Sequence, residues 1–331
     1  MTARQGATTP NRISTTADRV RVLFVGGLGR SGSTLLDRML GEMPGVCAIG
    51  EVVHLWERGL GNGERCGCGL PFPQCEFWLR VGKEAFEGWS NVDLGRVTAL
   101  RRRVDRTRYI PRMALPHLPA GVRADLAEYA DYYARVYRAV RSVSGCDLVV
   151  ESSKHASLAF ALRWSADIDL RVLQLVRDSP GVAYSWAKQV RRPDVVDDGE
   201  EWMARFSPVK VSLQWDAQNA AFDLLAATGV PVRRERYEDL IADPTAALGR
   251  IRGFARLPYD PTATDFVTGD TVHLTTGHTV SGNPMRFTSG PVQVRADDAW
   301  QCDLPAGRRR LVSTLTLPLR LRYGYLQVRG K

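Results

Sequence analysis

Short, wholly apolar runs alternate with amphipathic stretches along the chain. Arg21-Val22-Leu23-Phe24-Val25 is apolar toward both faces and runs straight into a glycine-rich turn, which predicts a fully buried strand. From Ser33 onward Leu35, Leu36, Met39, Leu40 and Met43 recur at helical spacing until Pro44 and Gly45 stop the pattern. Apolar runs of the same kind lie at Asp147-Leu148-Val149-Val150 and over 170–176, each passing through a polar turn into helical periodicity. Between them Leu126, Tyr129, Tyr133, Val136, Tyr137 and Val140 form one stripe of a helix over 122–143, with arginines on the other side. A helix is predicted over 209–228 and a strand over 230–237, and Asp243-Pro244 reads as the N-cap and first position of another helix. Strands alternating with helices predict an α/β fold, a central parallel sheet with helices on both faces and a helical insert near residues 80–145.

No internal repeat or Ser- or Pro-rich linker divides the chain, so residues 20–331 are expected to form one domain. Residues 1–19 offer no apolar face to bury and are expected to be a mobile tail. The 331 residues are 44% hydrophobic and 24% charged, which excludes a mainly disordered, collagen-like or coiled-coil chain. No run approaches the roughly 18 apolar residues of a membrane span, and the polar start lacks the apolar core of a secretory signal. A cytoplasmic protein is therefore expected. The net charge of +9 calls for anionic partners, whether nucleic acid, lipid headgroups, phosphorylated cofactors or acidic substrates.

Chemistry concentrates at two strand ends. Gly26-Gly27-Leu28-Gly29-Arg30-Ser31-Gly32-Ser33-Thr34 joins the first strand to its helix, the setting in which backbone N–H groups and a helix N-terminus hold a phosphate. Gly27, Gly32 and Thr34 keep the Walker A spacing, but Ser33 stands where that pattern has its lysine, which disfavours an ordinary nucleoside triphosphatase. Arg30 is the substitute cation. The run over 170–176 ends in Arg177-Asp178-Ser179-Pro180, in which Ser179 caps and Pro180 starts a helix that carries Ser185. Arg177 and Ser185 can converge on a second anion, since ligands of open α/β sheets gather at these strand ends. The plain alternatives are a ligand-free tight turn for the first segment and an Arg177–Asp178 pair for the second.

Taken together, the lysine-poor loop and the Arg177…Ser185 pair resemble the sulfotransferases that use 3′-phosphoadenosine 5′-phosphosulfate (PAPS), nearer the bacterial carbohydrate and tyrosylprotein types than the cytosolic phenol and steroid types. That resemblance implies a P-loop-type fold. It also implies that Gly29, Arg30, Ser31, Gly32, Ser33 and Thr34 hold the 5′-phosphosulfate, and Arg177 and Ser185 the 3′-phosphate. Gly50-Glu51 resembles a Gly-Glu whose carboxylate is the proposed base, and Ser153-Lys154 a strand-end Ser-Lys motif. Tyr237, within Arg236-Tyr237-Glu238-Asp239-Leu240, and Asn283 and Arg286, within Ser281-Gly282-Asn283-Pro284-Met285-Arg286-Phe287, resemble later cofactor-binding segments. The chain departs from the phenol and steroid enzymes in reading Ser153-Lys154-His155 where they have Lys-Thr-His, and in lacking their late Arg-Lys-Gly loop.

The expected reaction moves a sulfuryl group from PAPS to a hydroxyl on a small molecule, carbohydrate or lipid, giving a sulfate ester and adenosine 3′,5′-bisphosphate. Glu51 is the expected base, with His54 and His155 as competitors; Arg30 and Lys154 stabilise charge on the leaving phosphate, and no metal is expected in the reaction. The rival readings are a P-loop kinase using ATP and a basic nucleotide- or nucleic-acid-binding module. Cys66, Cys68 and Cys75 fall one short of a Cys₄ zinc site; His54 would complete a set, but the spacing matches no standard finger, and a small, redox-sensitive structural loop is favoured. Arginines 101, 102, 103, 106, 108 and 112 read as a solvated helix face sooner than as a guide for an acidic acceptor. Tyr129, Tyr133 and Tyr137 read as core, whereas Trp186, Trp202, Trp215 and Trp300 fit either the acceptor pocket or core.

Overall fold

The computed structural model describes residues 19–191 and 202–326, so the expected tail lies almost wholly outside the described residues. Strands β1 (Val20–Gly26), β2 (Val46–Ala48), β3 (Leu148–Lys154), β4 (Ile168–Val176) and β5 (Val232–Arg236) form a parallel sheet in the order β2-β3-β1-β4-β5. Helix α1 (Ser33–Gly41) links β1 to β2. Helices α2 (Glu76–Phe86), α3 (Leu94–Val104), α4 (Ile110–Met113) and α5 (Ala120–Ser144) lie between β2 and β3. Next come α6 (Ala156–Leu162), then α7 (Ser179–Ala187) and α8 (Pro208–Ala227) between β4 and β5, then α9 (Tyr237–Ala242) and α10 (Pro244–Phe254).

The central position of β1 explains its unbroken apolar sequence. Successive side chains point to opposite faces. Val22 and Phe24 join one core with α2, α5, α6 and α8, while Leu23 and Val25 join another with α1 and α10. Helices thus cover both faces, as the sequence pattern predicts. Tyr129, Tyr133 and Tyr137 are fully buried on α5 and serve as core.

Three features depart from expectation. The helical insert starts well before residue 80, with a short 3₁₀ turn over Val52–His54 and a π-helical segment over Leu55–Gly61, neither long enough to establish a period. Strand β2 pairs only with β3 at the sheet edge, and three half-buried residues leave no alternation to read. Strands β6 (Val267–Thr268), β7 (Thr271–Leu274) and β8 (Gly290–Gln293) form a small antiparallel sheet whose Val272 and Leu274 extend the α1 core. Helices α11 (Trp300–Asp303), α12 (Ala306–Leu315) and α13 (Leu317–Arg322) close the chain against α7 and α8. No helix among the described residues is long and apolar enough to cross a membrane.

Candidate active site

A cavity of about 740 Å³ opens at the carboxyl ends of β1, β3 and β4, where open parallel sheets collect ligands. Gly27 turns the chain out of β1 at φ +138°, and a Cβ there would lie 2.3 Å from the Leu175 carbonyl oxygen. Gly32 is the N-cap of α1 in the left-handed region (φ +88°), and a Cβ there would stand 2.6 Å from the Tyr237 ring. The close approach and the backbone angle both require glycine at these two positions. The Leu36 amide makes the first bond of the helical ladder, to the Gly32 carbonyl, so the amides of Ser33, Thr34 and Leu35 precede the ladder, and all three residues line the cavity. Amides free of the ladder at the positive end of a helix are able to accept an anion.

Gly29, Arg30, Gly32, Ser33, Thr34, Glu51, Lys154, Arg177, Ser185, Tyr237 and Asn283 all line this cavity. Ser31 and Arg286 do not. Ser31 is buried with its hydroxyl turned inward. Arg286, 1% exposed, donates to the carbonyls of Thr279 (2.7 Å) and Arg65 (2.5 Å), so its guanidinium ties two loops together behind the wall.

Arg177 Nη1 lies 3.4 Å from the Arg30 carbonyl oxygen, and Nη2 donates to the Asp297 carbonyl at 2.8 Å. The guanidinium stacks 4.6 Å from the Tyr237 ring centre, and the Asp297 carboxylate pairs with both Arg177 and Lys188. Asp178 is not its partner, because Arg320 grips that carboxylate with two hydrogen bonds. Helix α7 begins at Ser179 with Asp178 as N-cap; Pro180 stands in its first turn as expected, while the Ser179 hydroxyl bonds Thr316 instead of capping. Arg30 sits in the left-handed region (φ 73°) over the Trp186 ring, with Nη2 3.1 Å from the Met203 sulfur, and burial lowers its pKa.

On the opposite wall the Lys154 ammonium contacts Glu51 Oε1 and reaches the Ser152 carbonyl at 3.3 Å. Glu51 Oε2 is 3.7 Å from His54 Nε2, and His54 meets His155 edge-on. Burial, with Arg58 adding repulsion, holds His54 well below the ordinary imidazole range, and burial also lowers His155. Both competitors therefore bind a proton less tightly than an exposed histidine does. A Cβ on Gly282 would lie 3.3 Å from Glu51 Oε1 and 3.8 Å from Thr34 Oγ1, which places the carboxylate beside the glycine loop. Lys154 (φ 69°) and Ser281 (φ 53°) are left-handed like Arg30; such backbone strain is held in place at sites where it aims a group.

Several lining residues carry no local sequence signal. Arg58, Arg101 and Arg106 reach the cavity from the insert, so two members of the arginine row border the site, Arg101 half-buried and Arg106 still exposed. Trp186, stacked on Phe206 at 4.6 Å, lines the cavity; Trp215 is core, with its indole N–H on the Arg177 carbonyl, and Trp202 and Trp300 lie outside the lining. Cys66, Cys68 and Cys75 converge on His278, whereas His54 belongs to the cavity.

Behind the loop, burial raises the carboxyl of Asp37 to about 7 and that of Glu151 to about 8. Ser153 Oγ donates to Glu151 Oε2 at 2.5 Å and partly offsets this. Both acids hold their protons more tightly folded than unfolded, so their stabilising effect is complete at low pH and lost as pH rises through about 7 to about 8. A tenfold difference in proton affinity between the folded and unfolded chain corresponds to about 1.4 kcal/mol. Glu151→Gln, which cannot ionise, is expected to gain in melting temperature over the parent progressively from about pH 5 to about pH 9. Thermal scans in which that difference stays flat or shrinks would contradict the assignment.

No family model matches the chain, and no curated protein matches it. Among solved structures it aligns with the sulfotransferase domain of the Synechococcus PCC 7002 olefin synthase at 21% identity and a TM-score of 0.49, over 98% of this chain and 100% of that one. It aligns with the sulfotransferase domain of the curacin biosynthetic pathway at 18% identity and a TM-score of 0.47, covering 89% and 96% of the two chains. A third match is a sulfotransferase from Mycobacterium tuberculosis H37Rv, at 18% identity and a TM-score of 0.41, covering 75% and 70%.

Proposed function

We propose that this cavity binds PAPS and transfers its sulfuryl group to an acceptor hydroxyl. One observation carries the reading: a lysine-free glycine loop and the strand-end Arg177 with Ser185 line the same cavity, with Arg177 reaching the loop carbonyl of Arg30. Two anion-binding regions in one chamber fit a nucleotide phosphorylated at both its 5′ and 3′ positions. The exposed amides of α1 and the hydroxyls of Ser33 and Thr34 suit the 5′ phosphosulfate, and Arg177 with Ser185 suits the 3′ phosphate. Tyr237 backs both regions, packed against Gly32 and under Arg177.

The chemistry follows from the opposite wall. The acceptor oxygen forms a bond to sulfur while the bond from sulfur to the phosphate oxygen breaks; the hydroxyl proton passes to Glu51, and adenosine 3′,5′-bisphosphate leaves. Lys154 supplies positive charge beside that exchange, and Arg30 supplies it from within the loop. Lys154 also holds the Glu51 carboxylate in place, so this pair positions the base as well as balancing charge.

Arg58, Arg101 and Arg106 give the acceptor end a cationic lining, which favours a hydroxyl compound that also bears an anionic group. The test is incubation with PAPS, without added magnesium, and hydroxyl acceptors paired with and without a carboxylate, followed by mass analysis of the products. One sulfuryl addition is expected, with the acidic member of each pair preferred and Arg106→Ala raising its KM about tenfold. A magnesium-dependent phosphoryl addition from ATP would replace this reading with that of a kinase.

A further inference from the structure

We propose that Cys66, Cys68, Cys75 and His278 hold a zinc ion that fastens one wall of the cavity. Their ligand atoms all lie within 4.8 Å of one another. His278 Nδ1 is 3.3 Å from Cys75 Sγ and 3.9 Å from Cys66 Sγ, and Cys68 Sγ is 3.7 Å from Cys75 Sγ. Zinc bonds of about 2.3 Å to sulfur and about 2.0 Å to nitrogen, spread tetrahedrally, place neighbouring ligand atoms about 3.5 to 3.8 Å apart. The observed separations bracket that spacing. Three thiols with one imidazole form a soft donor set that selects zinc over magnesium or calcium.

A disulfide explains the cluster less well. The Cys68–Cys75 sulfurs are 3.7 Å apart against a bond of about 2.05 Å, and any pairing among three cysteines leaves one sulfur over. The surroundings also suit a metal. His278 stacks on Phe77 at 4.8 Å with an interplanar angle of 11°, and its carbonyl accepts the Trp78 indole N–H, so Nδ1 is aimed at the sulfurs. Cys66 and Cys75 are fully buried, and with four protein ligands the site is of the closed, structural kind.

Its place in the fold gives the ion a purpose. The Gly67 amide bonds the Thr279 carbonyl, and the Glu51 amide bonds the Val280 carbonyl at 2.7 Å. The strand-like segment from His278 therefore leads directly into Ser281, Gly282 and Asn283 on the cavity wall. Zinc binding releases the thiol protons and locks this segment to the 66–75 loop, beside the base; Arg286 reinforces the same seam.

The assignment is independent of the transfer reaction, and its test reads metal. The full chain, purified without chelator, is expected to contain one zinc ion by elemental analysis. Cobalt(II) added to metal-free protein is expected to give the intense visible bands and near-ultraviolet charge transfer of a tetrahedral thiolate complex. Cys75→Ser and His278→Ala should each weaken zinc retention against a competing chelator by at least about tenfold, with the exposed Cys302→Ser unchanged. The cobalt spectrum uses the unaltered chain, so poor folding of a variant does not decide the outcome. Absence of zinc together with a colourless cobalt titration, or a Cys68–Cys75 disulfide in freshly purified protein, would overturn the proposal.

Discussion

Lys154→Ala is expected to lower kcat by about a hundred- to a thousandfold, the range for deleting one preorganised donor from a developing oxyanion. The ammonium is held at the end of β3 by a left-handed backbone angle and by contact with Glu51, so a water molecule cannot take its place without losing that alignment. Glu51→Gln should cost a comparable factor because it removes the proton acceptor, and the double variant should be little worse than either, since the pair acts as a unit. Acceptor KM should move much less than kcat. If Glu51→Gln retained most of the turnover, the base would have to be His54 or His155, both of which burial holds below the ordinary imidazole range.

Arg177→Ala is expected to erase discrimination for a 3′-phosphate. Removing one partner of a buried charged hydrogen bond typically costs on the order of 2 to 5 kcal/mol, or at least about thirtyfold in Kd. Arg177 is 5% exposed and stacked on Tyr237, so solvent gives it little screening. Adenosine 3′,5′-bisphosphate should lose that factor, while adenosine 5′-monophosphate, which engages only the glycine loop, should change by no more than a few fold. Because Trp215 bonds the backbone carbonyl of Arg177 and not its side chain, the strand end itself should survive the substitution. An equal loss for both nucleotides would mean that Arg177 shapes the loop through the Arg30 carbonyl and does not read the ligand.

What the chain made legible is local. The buried β1 strand, the glycine turn and the Leu36-Met39-Leu40 face of α1 follow one another within some twenty residues, so spacing alone locates them. The end of β4 is legible for the same reason. Side-chain direction and long-range pairing are not. Glu51 and Lys154 are 103 positions apart, and their contact depends on β2 and β3 lying side by side, which three half-buried residues of β2 do not announce. His278 follows Cys75 by 203 positions, so the cysteine spacing pointed to an incomplete set. Arg286 shows the converse limit: it stands in the expected loop, yet its guanidinium turns inward to backbone carbonyls. Arg58, Arg101 and Arg106 carry no distinguishing local pattern until the insert folds over the sheet end and brings them to the cavity.

Titration calorimetry of the unaltered chain with adenosine 3′,5′-bisphosphate and with adenosine 5′-monophosphate tests the central claim most directly. Occupation of both anion regions by one ligand predicts binding of the bisphosphate at least about tenfold tighter, at one molecule per chain, as a single additional charge-assisted contact supplies. Equal affinities for the two nucleotides would contradict it.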